Sequence, residues 1–496
     1  MFLQRLLFTF VLFATFCSGA NAQQPETPQQ GIFALIPADS ATKHTLSTPS
    51  GPVNYKATAG TIDLFGQDGG HTAKVFYTAY AVQEAGPTRP ITFAFNGGPG
   101  AASAYLHLGL AGPNILELGA QTGQGTTPVL TDNPDSWLQF TDLVFIDPVG
   151  TGWSRAANNE VAGSFYGVNQ DAEAIAKVIA LYLQKNGRLG SPKYLLGESY
   201  GGFRAAKVAT ALKDRQGVLT SGIIMLSPLI EGRFLFSAGE DPLSAALQLP
   251  ALAAAKMERE GRFSAEALAG AEAFAMNDYL VTLAGSPPTG DRADAFYSRV
   301  SDLTGIDTDT VRRTRGFISE VYAKQSAGTG EIVSPYDAAY VRPDAYPEAS
   351  YGRNDDPILD GYTRAYGGAF ASYADQVLNY RSTMTYTLLN EDVNRRWDWK
   401  GGHGDGGRTG ASASDDLRDL LSVIPQFRIL IAHGYSDAIT PYGMSRYVLD
   451  HLPPQLAASR TALALYRGGH MFYTDPDSRR RFFEDAASFY RQAEPD

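Results

Sequence analysis

The sequence predicts an α/β fold with a mostly parallel central sheet and a helical cap insertion. Three observations carry that expectation. Short apolar strands alternate with helical stretches from Ile91 onward, the pattern of a parallel sheet covered on both faces. One of those strands runs through Gly197-Glu198-Ser199-Tyr200-Gly201 straight into a helix. The strand series then breaks for a long helix-rich interval and resumes near Arg428. The composition, 44% hydrophobic and 19% charged over 496 residues, is that of an ordinary globular enzyme. No repeat period of the length that marks solenoids is visible.

Taken in order, residues 1–22 carry Arg5, an apolar run from Leu6 to Phe16 and the small-residue site Ala20-Asn21-Ala22, which predicts a secretory signal peptide cut after Ala22. Its apolar core is shorter than the roughly 20 residues of a membrane span, so the exported chain is expected to be free of the membrane, in a periplasm or secreted. The single cysteine, Cys17, lies inside this segment, and a lipid-anchored start there is the competing reading. The absence of any Asn-x-Ser/Thr sequon favours a periplasm or medium over a glycosylating pathway. Residues 23–230 form the first part of the core, opening with a polar, Pro-containing leader over 23–30. Tyr55–Phe65 and Lys74–Val82, flanking a Gly-rich turn, predict an antiparallel hairpin at a sheet edge. Strands follow at Ile91–Phe95, Leu143–Ile146, Tyr194–Leu196 and Ile223–Leu226, with a helix over Gln170–Lys185 that places Ile175, Val178, Ile179 and Tyr182 on one face.

Residues 231–400 are the cap insertion, with helices over Leu243–Glu258, Ala265–Leu283 and Asp291–Leu303 and then an aromatic, Pro/Gly-rich tract from Tyr336 to Tyr366. Residues 401–496 complete the core, with Asp398–Asp416 as a Gly/Ser-rich loop and strands at Arg428–Ala432 and Ala462–Tyr466.

The glycines around Ser199 suit a tight turn that lifts the hydroxyl clear of the sheet. A serine becomes a nucleophile only beside a base, and the base needs a carboxylate to hold its tautomer. On this scaffold the partners follow in the order Ser, Asp, His, which selects Asp437, after the last long strand, and His470, in Arg467-Gly-Gly-His-Met471. His433 and His107 are rivals for the base, but each violates that order. Backbone N–H groups for an oxyanion are expected from Tyr200 and from the turn Asn96-Gly-Gly-Pro-Gly100, where Pro99 has no proton to give and Gly98, with Gly97 as fallback, supplies the second donor.

Together Asn96-Gly-Gly-Pro-Gly100, Phe145-Ile-Asp-Pro-Val-Gly-Thr-Gly-Trp-Ser154, Gly197-Glu-Ser-Tyr-Gly-Gly202, Asp437 and Gly469-His470-Met471 resemble the serine carboxypeptidase family, and Tyr105-Leu-His-Leu-Gly109 resembles its bacterial branch. The resemblance implies an α/β-hydrolase fold and release of C-terminal amino acids from peptides through an acyl-enzyme. It also implies that Asn96 and Glu198 bind the substrate carboxylate and that Met471 lines the pocket of the leaving residue. Since Glu198 can donate only when protonated, peptidase activity is expected to be favoured at acidic pH. One departure stands out: a second carboxylate-binding Glu of the family corresponds here to Leu110. The cysteine after the first motif is Ala101.

The triad and the oxyanion donors do not select amide over ester, so an esterase or acyltransferase is the alternative, and a catalytically silent binding protein is a third reading. A net charge of −11 without a Lys/Arg block argues against nucleic-acid or anionic-membrane partners. No metal-ligand cluster and no phosphate loop is visible, so no cofactor is expected.

Overall fold

A computed structural model describes residues 31–83, 85–86, 88–117, 129–349, 356, 359–400 and 407–491. The expected signal peptide with Cys17, and the leader over 23–30, lie outside the described residues. The strands in chain order are β1 Ser40–Thr48, β2 Gly51–Phe65, β3 His71–Val82, β4 Ile91–Phe95, β5 Asn114–Glu117, β6 Val129–Asp132, β7 Asp142–Ile146, β8 Arg155–Ala156, β9 Lys193–Glu198, β10 Gly222–Leu226, β11 Glu331–Ser334, β12 Asp337–Pro343, β13 Arg428–Gly434 and β14 Thr461–Tyr466.

The main sheet runs β1-β2-β3-β7-β4-β9-β10-β13-β14, with β8 paired to β3. From β7 to β14 every neighbour is parallel, while β1, β2 and β3 are antiparallel. Residues along the parallel strands alternate between two apolar layers, because successive side chains of a strand point to opposite faces. Ile223, Met225, Ile429 and Ile431 face one layer, and Ile224, Leu226, Leu430 and Ala432 face the other. The first layer is closed by the helices Val168–Lys185 and Tyr200–Ala211, the second by Leu359–Gln376 and Pro476–Arg491. Burial on both faces is why these strands read as continuous apolar runs.

Two expectations need correction. The hairpin β2–β3 is not the outermost element: β1 pairs with β2 from Ser40↔Ala59 to Thr48↔Gly51 and forms the edge. Its sequence, SATKHTLST, is largely polar because only Leu46 is buried, so it carries no apolar signal. The aromatic, Pro/Gly-rich tract from Tyr336 to Tyr366 contains β12 and the start of the Leu359–Gln376 helix. That helix buries Tyr362, Tyr366, Phe370 and Tyr373 at helical spacing, a pattern masked by Gly361, Gly367 and Gly368. In the Asp398–Asp416 loop, a helix already begins at Ser414, and 401–406 lie outside the described residues. The small antiparallel pair β5–β6 was not anticipated.

Within residues 231–400 the run of helices expected between 243 and 303 spans Pro242–Arg259, Ala265–Phe274, Leu280–Ala284 and Gly290–Thr304, with a π-helical turn at Ala275–Tyr279 joining the second and third. They bury an apolar cluster of their own around Leu249, Leu252, Phe296 and Val300.

Candidate active site

At the carboxyl end of β9 the chain turns sharply into the Tyr200–Ala211 helix, and Ser199 sits on the turn with φ 61° and ψ −127°. A positive φ is costly for serine and persists only where the surroundings enforce it. Here they do: Ser199 N donates to Leu226 O at 2.9 Å, Leu229 N donates to Ser199 O at 3.2 Å, and a Cβ on Gly197 would lie 2.0 Å from Gly201 O. The hydroxyl therefore stands on a rigid corner at the sheet's end.

Asp437 lies just past β13 and His470 just past β14, two adjacent parallel strands, so topology alone brings these distant residues together. His470 Nδ1 and Asp437 Oδ2 are 2.9 Å apart. The other carboxylate oxygen, Asp437 Oδ1, accepts from Ile439 N and Thr440 N, both at 2.9 Å. Burial by itself would raise the Asp437 carboxyl, but the charge and hydrogen bond of His470 dominate and hold it below the usual range. Burial would likewise lower His470; the Asp437 charge outweighs it and the imidazole is held above its ordinary value. The backbone fixes the ring further, since His470 N donates to Tyr336 O at 2.6 Å and Ser227 Oγ donates to His470 O at 2.9 Å.

Ser199 and His470 line one cleft of about 490 Å³, together with Asn96, Gly97, Gly98, Glu198, Tyr105, Tyr336, Leu359, Leu389 and Met471. No hydrogen bond joins the Ser199 hydroxyl to His470 among the described residues, and such contacts often tighten only when substrate binds. The rivals are elsewhere. His433 is buried against Ser445 Oγ at 2.8 Å and His107 against Tyr80 OH at 2.7 Å, and burial lowers them to about 4 and about 3.

The turn after β4 meets the elbow closely: a Cβ on Gly97 would stand 2.6 Å from Tyr200 N and 2.7 Å from Glu198 O. Gly98, with φ 97°, follows beside Ser199 in the cleft. Tyr200 is the first residue of its helix, where an N–H has no intrahelical acceptor. Asn96 Nδ2 donates to Glu198 Oε2 at 2.7 Å, and Leu106 N donates to Asn96 Oδ1 at 3.1 Å, which fixes the amide's orientation. Burial pushes the Glu198 carboxyl up to about 7, against the lowering effects of the His470 charge and of hydrogen bonds from Tyr473 and Asn96. Leu110 is fully buried in the apolar layer and offers no carboxyl.

Four residues of the site were not singled out from the sequence. Tyr473 OH donates to Glu198 Oε2 at 2.8 Å, and Tyr336 stacks edge-on to His470 with ring centroids 5.3 Å apart. Thr440 Oγ1 lies 2.7 Å from Asp437 Oδ2 and 3.1 Å from His470 Nδ1. Arg204 is buried beneath the site, bonded to Asp171 Oδ2 at 2.6 Å and donating to Asn96 O. Only Arg204 left a trace, as a lone charge in the apolar start of the elbow helix.

The sequence model described as serine carboxypeptidase matches residues 49–229. Serine carboxypeptidase-like 35 of Arabidopsis thaliana is 29% identical over 170 residues, which are 34% of this chain and 34% of that protein. Pheromone-processing carboxypeptidase kex1 of Neosartorya fischeri is 29% identical over 190 residues, 37% of this chain and 27% of that protein. The chain thus spans about a third of the length of the curated relatives it matches. Among solved structures, the prohormone-processing carboxypeptidase Kex1 of Saccharomyces cerevisiae superposes with a TM-score of 0.52 at 16% identity, covering 88% of this chain and 91% of that one, a likeness of fold.

Proposed function

We propose that this chain, whose residues 49–229 match the serine carboxypeptidase family, is a member of that family and releases C-terminal amino acids from peptides through an acyl-enzyme formed on Ser199. One observation supports the reading above others: Ser199, His470, Asn96 and Glu198 line a single cleft. In the proposed cycle, Asp437 keeps the Nδ1 proton of His470 in place and leaves Nε2 free to take the Ser199 proton as Oγ attacks the scissile carbonyl. The N–H groups of Gly98 and Tyr200 receive the oxyanion. His470 then protonates the leaving amine, and water, activated by the same imidazole, releases the acyl group. Asn96 and neutral Glu198 hold the carboxylate of the departing residue, whose side chain lies against Met471, and the charge-assisted hydrogen bonds fix which peptide bond is cut. Residues 231–400 act as a cap that contributes Tyr336, Leu359 and Leu389 to the cleft. The chain acts after export, to a periplasm or the medium; no helix among the described residues is long and apolar enough to cross a membrane.

Esterase or acyltransferase chemistry on the same residues is the second reading, favoured by Leu110 in place of a second acid. Hydrolysis of a blocked dipeptide, its C-terminal amide and its ester, compared across pH, separates the two. At acidic pH the free acid is expected to be cleaved about 10- to 100-fold better than the amide, the worth of one charge-assisted hydrogen bond. Equal rates would overturn the carboxypeptidase reading.

A further inference from the structure

The two donors that reach Glu198 both go to the same oxygen. Asn96 Nδ2 and Tyr473 OH lie 2.7 and 2.8 Å from Oε2, whereas no donor among the described residues reaches Oε1, which opens on the cleft. A neutral carboxyl has one carbonyl oxygen, which accepts, and one hydroxyl oxygen, which donates. With two donors converging on it, Oε2 is the acceptor. The reverse assignment, with the proton on Oε2 given to Tyr473, would leave the phenol proton without an acceptor, since Tyr473 is fully buried and its hydroxyl has no other partner among the described residues.

We propose that Tyr473 is a positioning residue: with Asn96 it places the proton of neutral Glu198 on Oε1, so that the acid presents an O–H to the carboxylate of a peptide's C-terminus. This rests on the carboxypeptidase reading above and goes beyond it by giving the acid a fixed tautomer. Tyr473 follows His470 by three residues, on the short turn Phe472–Thr474, so the chain segment that positions the base also positions the acid. Gly109 makes room for it, because a Cβ there would lie 2.8 Å from the Tyr473 ring. The other titratable groups facing Glu198 are His470 and Asp437, from the loops after β14 and β13, and the phenols of Tyr105, Tyr336 and Tyr366. Burial keeps these phenols protonated, so within the working range the acid shares its titration with His470 alone.

The test is Tyr473→Phe, assayed for kcat and KM between pH 5 and 9 on a blocked dipeptide and on its C-terminal amide. Loss of one ordering hydrogen bond is expected to raise KM for the free acid about fivefold at acidic pH, with kcat nearly unchanged and the amide unaffected. The phenol stabilises the ionised form of Glu198, so its removal also moves the alkaline limb of free-acid hydrolysis to higher pH. In a Glu198→Ala background, where no acid or amide proton remains to be placed, the KM effect of Tyr473→Phe should shrink to less than about twofold. Equal losses on acid and amide, an unmoved alkaline limb, or an undiminished effect in the Ala background would overturn the proposal. A parent enzyme that cleaves acid and amide alike would refute the carboxypeptidase reading itself, a result distinct from a parent preference that Tyr473→Phe leaves intact.

Discussion

Replacing Glu198 by Gln removes the one carboxyl that lines the cleft among the described residues, whose charge would oppose a substrate carboxylate, and the structure gives the size of the effect. Burial raises this carboxyl from 4.5 to about 7. Above that value the neutral fraction falls tenfold per pH unit, so hydrolysis of a free-acid peptide by the parent should be about tenfold lower at pH 8 than its plateau permits. The Gln variant stays neutral and should show no such limb. Stability changes in step. The folded protein keeps a proton that the unfolded chain releases near 4.5, so its stability falls as pH rises from 4.5 to about 7 and is level beyond. At about 1.4 kcal/mol per tenfold, the loss is roughly 3 kcal/mol, or about 3 °C in Tm for a chain of this length. Asp147 and Asp337, pushed up to about 7 and about 6 by burial, titrate in the same window in both proteins and cancel in the difference. Calorimetric Tm and kcat/KM, measured from pH 4 to 9 on both proteins, test this. A Gln variant whose alkaline limb and Tm profile both run parallel to the parent's would refute the assignment of Glu198.

Three other substitutions probe the supports of the site. Asp437→Asn should keep the backbone contacts to Ile439 and Thr440 but turn an N–H toward His470, imposing the wrong tautomer; kcat is expected to fall about 10⁴-fold with an unchanged circular dichroism spectrum. Gly97→Ala would drive a Cβ to 2.6 Å from Tyr200 N, so the turn and elbow must part, and kcat should drop by about 10² in steady-state assays as the oxyanion donors lose alignment. Arg204→Met leaves Asp171 buried without its cation, and urea unfolding should show a loss of about 3–5 kcal/mol, largely recovered when Asp171→Asn is added.

The sheet was legible because each parallel strand is buried on both faces and therefore continuously apolar, as in Ile91–Phe95 and Ile223–Leu226. The elbow was legible because Ser199 needs close-packed glycines beside it, and Asp437 and His470 because each follows a strand in the order this scaffold requires. What escaped the sequence were contacts made across the fold. Tyr473 meets Glu198 over 275 positions, and nothing local distinguishes it from the many tyrosines that only pack. Tyr336 reaches His470 from a hairpin in the inserted segment, so its place depends on a tertiary path that periodicity does not encode. The polar edge strand β1 escaped because only one of its nine residues is buried, and the Leu359–Gln376 helix because its glycines obscured an aromatic stripe.

The central claim is that Ser199 is an activated nucleophile served by His470. Its most direct measurement is treatment of the purified protein with a fluorophosphonate, followed by intact mass and peptide mapping, in parallel with Ser199→Ala and His470→Ala. One equivalent of label on Ser199, absent from the first variant and formed far more slowly on the second, is the predicted result. Label on another residue, or labelling of Ser199 at the same rate without His470, would contradict it.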